Sequence, residues 1–219
     1  MSARDYTKPY YPVFLDLTGR LAVIVGGGAV AERKIRTLVD YGARVRVIAP
    51  QVTTWIAEQA ETGAVAHEPR GYVRGDLEGA FIAICATDSA EVNAAVFDEA
   101  ESRGCLVNVV DVPELCSFIV PSIVRRGQLQ LAISTGGAAP AVAKRLRKHI
   151  DSHVGPEWET YVALLGELRA LVMERVPGTE ADRKPIFEAV ADSDLLDRIA
   201  AGERPTAEDV FARFAGGAR

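Results

Sequence analysis

Three consecutive glycines, residues 26–28, stand between an apolar run and a stretch with helical periodicity. The pattern Gly26-x-Gly28-x-x-Ala31 is a relaxed form of the dinucleotide-binding fingerprint. In such turns the first glycine permits a tight bend, the second lets the backbone approach a pyrophosphate, and the small third residue lets the helix pack against the strand. Amides at the start of the helix then bind phosphate. The predicted cofactor-binding residues here are Gly26, Gly27, Gly28, Ala29 and Val30.

The next predicted strand, "RVRVIAP", ends without the acidic residue that usually binds the ribose of NAD. Pro50 and Gln51 occupy that place, so we expect backbone or amide contacts there instead of a carboxylate. Arg44 and Arg46 could meet the 2′-phosphate of NADP, or they could face solvent or pair with neighbouring acids. The pattern alone leaves the choice between NAD and NADP open.

Polar residues also lie at the ends of two later predicted strands. Thr87 follows the fourth strand, Asn108 lies near the end of the fifth, and Asp111 follows the fifth. Ligands of doubly wound sheets bind beyond these strand ends, so we assign Thr87 and Asn108 to the cofactor site and expect Asp111 at the ligand site. A positioned carboxylate can abstract a proton. The alternatives are that Thr87 caps a helix, that Asn108 satisfies backbone groups, and that Asp111 stabilises a turn.

Short apolar runs alternate with helical patterns through the first half of the chain, which is typical of a parallel sheet covered on both faces. We therefore predict an α/β fold, a Rossmann-like doubly wound parallel sheet. The predicted strands are 21–25, 44–48, 64–67, 80–85 and 105–110, and the predicted helices are 29–41, 52–61 and 89–103.

The alternation stops after residue 116. Residues 117–137 predict two extended segments around a polar turn at 125–128. Helical patterns follow at 140–153, 156–175, 180–193 and 206–214, with prolines between several of them. We predict three parts: a nucleotide-binding domain over 1–116, a β-rich segment with one helix over 117–150, and a small helical domain over 151–219.

Composition excludes several classes of protein. The net charge of −5 argues against a general nucleic-acid binder, and no apolar run is long enough to span a membrane, so we expect a cytoplasmic protein. Three cysteines without metal-type spacing argue against a disulfide framework and favour core positions. His149 and His153 stand four residues apart without a cysteine or acid cluster, so we expect no bound metal.

Five stretches, in order along the chain, resemble the precorrin-2 dehydrogenase family, whose module also forms the N-terminal part of siroheme synthase. Some members of that family also act as sirohydrochlorin ferrochelatases. The matching stretches are "YYPVFLDLTGR", "VGGGAVAERK", "CATDSAEVN", "VNVVDVPELCSFIVPSIVRRG" and "AISTGGAAPAVAKRLRKHI".

The resemblance implies NAD-dependent oxidation of precorrin-2 to sirohydrochlorin, with Asp111 in the position of the family's essential acid. Members of this family generally lack the usual ribose acid and use NAD as the hydride acceptor. Many members carry a second acid where this chain has Val112, which weakens the case for a carboxylate that handles metal. Whether this chain also inserts iron into sirohydrochlorin stays open.

Precorrin-2 carries eight carboxylates, and the resemblance implies that groups after residue 120 bind some of them. The predicted substrate-binding residues are Ser134, Thr135, Gly136, Gly137, Arg125 and Lys144. An ordinary turn and a solvated basic helix face are the alternatives. The family also forms homodimers, which assigns residues 117–150 to dimerisation. A nucleotide-sensing regulatory module and a tetrapyrrole carrier are the competing functions.

Overall fold

A computed structural model describes residues 9–215. Five strands form one parallel sheet in the order β3-β2-β1-β4-β5, with helices between most of them, so the predicted doubly wound α/β fold is confirmed. The strands are β1 (Leu21–Val25), β2 (Arg44–Ile48), β3 (Val65–Glu68), β4 (Ile82–Cys85) and β5 (Leu106–Val109). The helices of this part are α1 (Ala29–Asp40), α2 (Thr54–Glu61) and α3 (Ala90–Arg103), and a single 3-10 turn covers Pro113–Leu115.

The sheet is buried because its central strands are apolar on both faces. In β1 and β4 nearly every side chain is buried, and Val25 pairs with Ile48 on one side and with Cys85 on the other. Alternate residues enter two separate cores, one under α1 and one under α3. The three strand ends that could form a dinucleotide site are thereby held side by side.

The crossover from β3 to β4, residues 69–81, has no helix and is held instead by a buried carboxylate. Glu99 is 1% exposed and accepts hydrogen bonds from the amides of Gly75 (2.9 Å) and Leu77 (3.3 Å). The Tyr72 hydroxyl and Arg103 Nε also donate to it. Burial raises the pKa of Glu99, but these hydrogen bonds outweigh burial and hold the pKa below its usual value.

The side chain of Arg46, in β2, is half-buried and contacts this crossover. It donates to the carbonyl of Asp76 and approaches the carboxylate of Glu68 at 3.8 Å. Arg44 donates from Nε to the carbonyl of Gly19 at 2.9 Å. Both arginines, which could have met a 2′-phosphate or faced solvent, therefore bind groups within the protein.

The chain divides into two compact units between Val120 and Pro121. The second begins with the antiparallel pair β6 (Ser122–Arg126) and β7 (Leu129–Ile133), as the two extended segments predicted. Five helices follow, namely α4 (Pro140–His153), α5 (Glu157–Arg175), α6 (Glu180–Ala191), α7 (Leu195–Ala200) and α8 (Ala207–Ala215). The short α7 was not expected. The predicted domain limits at residues 116 and 150 stay predictions.

The helical part of the second unit has its own core. Leu168 and Val172 of α5 are fully buried and belong to a cluster with Ile186, Val190 and Leu195. No helix between residues 9 and 215 is long and apolar enough to cross a membrane. The three cysteines, Cys85, Cys105 and Cys116, are all buried and form no disulfide, and burial raises the pKa of the Cys85 thiol to about 12.

Candidate active site

The glycine-rich turn lies between two other loops. Gly26 has φ 119°, and a Cβ on it would lie 2.3 Å from the carbonyl oxygen of Ala86 after β4. A Cβ on Gly27 would lie 2.1 Å from the carbonyl oxygen of Gln51 after β2. Both positions therefore require glycine, one for a left-handed bend and a close approach, the other for a close approach alone.

The third glycine faces open space. Gly28 precedes α1 with φ −80°, and a Cβ there would meet nothing within 4 Å. No side chain caps α1, Ala29 and Val30 are exposed, and Ala31 is fully buried against the sheet. The first amides of a helix lack intrahelical acceptors, so this open turn fits a pyrophosphate. The geometry matches what the fingerprint requires of each small residue.

The loop after β2 carries no acid for a ribose. Pro50 and Gln51 are exposed. Beyond them, the hydroxyl of Thr53 donates a hydrogen bond to the carboxylate of Glu32 in α1 at 2.6 Å. Glu32 also pairs with Arg36 at 2.7 Å. The hydrogen bond from Thr53, with a smaller contribution from Arg36, lowers the pKa of Glu32. Glu32 therefore joins α1 to the start of α2, and Pro50 and Gln51 stay predicted cofactor contacts.

Thr87 and Asn108 already make structural hydrogen bonds. Thr87 Oγ1 accepts from the amide of Ser89 at 3.2 Å, next to the Ala86 carbonyl that packs on Gly26. Asn108 Nδ2 donates to the carbonyl of Phe118 at 3.0 Å. The Asn108 bond matches the structural alternative considered for that residue, whereas the N-cap of α3 is Ser89 and Thr87 bonds the amide of this cap residue instead. Thr87 is close to the glycine-rich turn, and the cofactor roles of both residues stay predictions.

Asp111 lies in a turn after β5 with a left-handed backbone. Its φ of 62° is the one positive value among the non-glycine residues between 9 and 215. Asp and Asn tolerate this region better than most residues, at a cost of about 1 kcal/mol. Its exposed carboxylate makes no hydrogen bond or ion pair within the described chain. A free carboxylate is thus held at the edge of the sheet where ligands bind.

The sequence patterns missed Lys34. This half-buried residue lies on α1, and burial lowers the pKa of its ammonium, with a further decrease from Arg33 and a partial increase from Asp111. Asp111 is therefore close enough to act on its charge. No local motif joins a lysine in the first helix to an acid after the fifth strand, so only the fold could bring the pair together.

In the second unit, the segment before α4 is a tight turn. Gly136 and Gly137 have φ of 62° and 88°. Ser134 Oγ accepts from the amide of Gly136 at 3.0 Å, and Thr135 Oγ1 accepts from the amide of Ala139 at 3.1 Å. Both hydroxyl groups therefore stabilise the turn, and their role in substrate binding stays a prediction.

The basic residues of the second unit differ in their surroundings. Lys144 is exposed on α4, whereas Arg126 pairs with Asp151 at 2.9 Å. Arg125 lines a shallow pocket of about 550 Å³ that also contains Glu159. Within residues 9–215 no group of three or more His, Cys, Asp or Glu side chains could hold a metal ion.

The parallel sheet and the open glycine-rich turn define a Rossmann-type dinucleotide-binding protein. Two family models match the chain, "Putative NAD(P)-binding" over residues 13–122 and "Sirohaem biosynthesis protein central" over residues 126–153. The chain belongs to the family that the first model describes, so a nicotinamide dinucleotide site is confirmed without distinguishing NAD from NADP.

Individual relatives confirm the resemblance found in the sequence. The siroheme synthase of Azotobacter vinelandii is 41% identical over 95% of this chain and 45% of its own length. That of Stutzerimonas stutzeri is 39% identical over 93% of this chain and 43% of its own length. The solved structure of "SirC, precorrin-2 dehydrogenase" has a TM-score of 0.77 at 27% identity, covering 94% of this chain and 100% of that one. The chain spans less than half the length of the curated relatives.

Proposed function

We propose that this chain oxidises precorrin-2 to sirohydrochlorin with NAD as the hydride acceptor. The observation that carries the proposal is the exposed carboxylate of Asp111, held after β5 at the edge of the sheet that also carries the glycine-rich turn after β1. The similarity to SirC, which this chain matches over that protein's whole length, supports the choice of substrate.

The reaction removes two hydrogen atoms from the macrocycle, one as a hydride and one as a proton. Bound NAD supplies the hydride acceptor. The open turn at Gly28, Ala29 and Val30 holds the pyrophosphate through backbone amides, and Thr87 lies on the nicotinamide side. Asp111 takes the proton on its carboxylate, for which it needs to be free of internal partners.

The surroundings of β2 favour NAD over NADP. A 2′-phosphate needs a cation near the end of this strand. Both candidates are engaged elsewhere, Arg44 with the carbonyl of Gly19 and Arg46 with Glu68 and the carbonyl of Asp76. With neither arginine available, we propose that Pro50 and Gln51 contact the adenosine ribose of NAD.

In the second unit, we propose that the turn Ser134–Gly137, together with Arg125 and Lys144, binds substrate carboxylates. Positive groups and hydrogen-bond donors are what a polycarboxylate requires. We also propose a homodimer in which α4 contributes to the interface. Val142 and Leu146, one turn apart on α4, are 50% and 44% exposed, which suits a surface that a second copy covers.

The proposed function is tested by incubating the protein anaerobically with precorrin-2 and NAD while NADH and sirohydrochlorin are recorded. We expect Asp111→Asn to lower kcat at least about 100-fold, because it removes the proton acceptor. NAD affinity should be unchanged. The matched control is Glu114→Gln, which neutralises an exposed acid in the adjacent 3-10 turn and should retain full activity.

Other outcomes of the same assay identify the competing functions. NAD binding without oxidation by the wild-type protein would contradict the proposal and favour a nucleotide-sensing module. Binding of the tetrapyrrole alone would favour a carrier. Addition of ferrous iron after oxidation tests ferrochelation, which requires siroheme to form faster than in a control without protein.

A further inference from the structure

Lys34 lies one turn into α1, below the glycine-rich turn. Its neighbours Ala31 and Ile35 are fully buried against the sheet, and Lys34 itself is half-buried at the border of this face. Cα–Cβ bonds of a helix tilt toward its N-terminus, so a long side chain at this position extends toward the edge of the sheet that carries the ligand site.

The ammonium of Lys34 has no partner in the described part of the chain. It makes no hydrogen bond, ion pair or ring contact with any residue between 9 and 215. Half-buried Arg46 of the same unit is bound by Glu68 and a carbonyl, and Arg36 by Glu32 and the ring of Trp55. Lys34 thus differs from these two arginines.

This placement is unfavourable unless an anion is present. Burial of an ammonium without a counterion costs free energy, and the positive end of the helix dipole adds to the cost. Asp111 acts on the charge of Lys34 from nearby but makes no direct ion pair with it. The ammonium of Lys34 can therefore still bind an anionic oxygen of a ligand.

We propose that Lys34 binds a carboxylate of the polycarboxylate substrate and so holds the macrocycle against Asp111; this rests on the proposed function. Two anionic groups could reach this cation, a dinucleotide phosphate or a substrate carboxylate. Glu32, two residues before Lys34 on α1, contacts Thr53 after β2, and residues two apart lie on opposite sides of a helix, so Lys34 faces away from the loop after β2. This placement favours the substrate.

The test measures two affinities separately, with sirohydrochlorin and NADH as the probes. We expect Lys34→Met to weaken sirohydrochlorin binding about tenfold or more, the size expected for one charged hydrogen bond, and to leave NADH binding within about twofold. Lys34→Arg should restore most of the affinity. The matched control, Arg33→Gln, removes the exposed neighbouring charge and should bind both probes as the wild type does.

The outcomes separate this proposal from the proposed function. Unchanged sirohydrochlorin binding in a folded Lys34→Met protein overturns the role of Lys34, and so does a loss confined to NADH, which would assign it to the pyrophosphate. Wild-type protein that binds both probes but does not oxidise precorrin-2 contradicts the proposed function and leaves the assignment of Lys34 standing.

Discussion

At the scale of single residues, the three adjacent glycines of the turn differ in how closely other atoms of the protein approach them. Gly26 and Gly27 exclude a side chain because backbone oxygens of Ala86 and Gln51 lie within 2.3 Å and 2.1 Å of where a Cβ would be. At Gly28 the protein itself would leave room for a side chain, since a Cβ there would meet no atom within 4 Å. Stability and cofactor binding can therefore be separated by substitution.

We predict that Gly27→Ala destabilises the protein by about 1–3 kcal/mol, because the loop after β2 must move to admit the methyl group. Gly28→Ala should cost less than about 1 kcal/mol, since its φ of −80° suits alanine, yet should weaken NAD binding. Urea unfolding and NADH titration measure the two effects. Equal loss of stability in both variants would contradict the assignment.

At the scale of elements, the crossover between β3 and β4 depends on a single carboxylate of α3. Glu99 accepts four hydrogen bonds, three from the crossover (the Tyr72 hydroxyl and two amides) and one from Arg103 of its own helix. A helix would satisfy its own backbone, whereas this segment has only isolated turn hydrogen bonds, such as those from the amides of Asp76, Glu78 and Ala80. The buried carboxylate of Glu99 therefore supplies acceptors for crossover amides that would be bonded within a helix in the doubly wound pattern.

We predict that Glu99→Gln lowers the free energy of unfolding by about 2–3 kcal/mol, because its amide presents a donor toward donors. The pKa of Glu99 is lowered on folding, so its stabilisation is present above its usual value of 4.5 and is lost as pH falls below it. The variant should show a shallower loss of stability in acid. Glu101→Gln, exposed on the same helix, is the control, and denaturant unfolding at pH 7 and pH 4 is the measurement.

At the scale of the whole molecule, each of the two units has its own core. The nucleotide-binding features lie in the first unit, and the proposed carboxylate-binding turn and dimer surface lie in the second. A chain organised in this way can vary its assembly without altering its dinucleotide site.

We predict that the protein is a homodimer and that Leu146→Glu makes it monomeric, because a charge would replace an apolar contact on α4. Light scattering after size-exclusion chromatography measures the mass. Met173→Glu is the matched control, since Met173 is an equally exposed apolar residue of α5, at 51%, outside the proposed interface. A wild-type monomer at micromolar concentration, or a dimer that survives Leu146→Glu, would contradict the prediction.

Local patterns were sufficient for the sheet but not for the charges around it. Apolar runs such as "LAVIV" predict buried parallel strands because no half-exposed strand has that composition, and the glycine spacing marks the turn. Lys34 and Glu99 lie on helices among other charged residues, where a solvated face is the ordinary interpretation. The groups that act on their charges, Asp111 and Tyr72, lie far along the chain, and only the tertiary fold brings them within range.

The three buried cysteines make the protein well suited to site-specific labelling. All three thiols of the chain are shielded, and burial raises the pKa of Cys105 to about 11 as well, so thiolate at neutral pH is scarce. A dye with a maleimide group should therefore ignore the native chain. One cysteine introduced at the exposed Gln51 would then place a fluorophore beside the glycine-rich turn and report ligand binding without removal of any natural residue of the core.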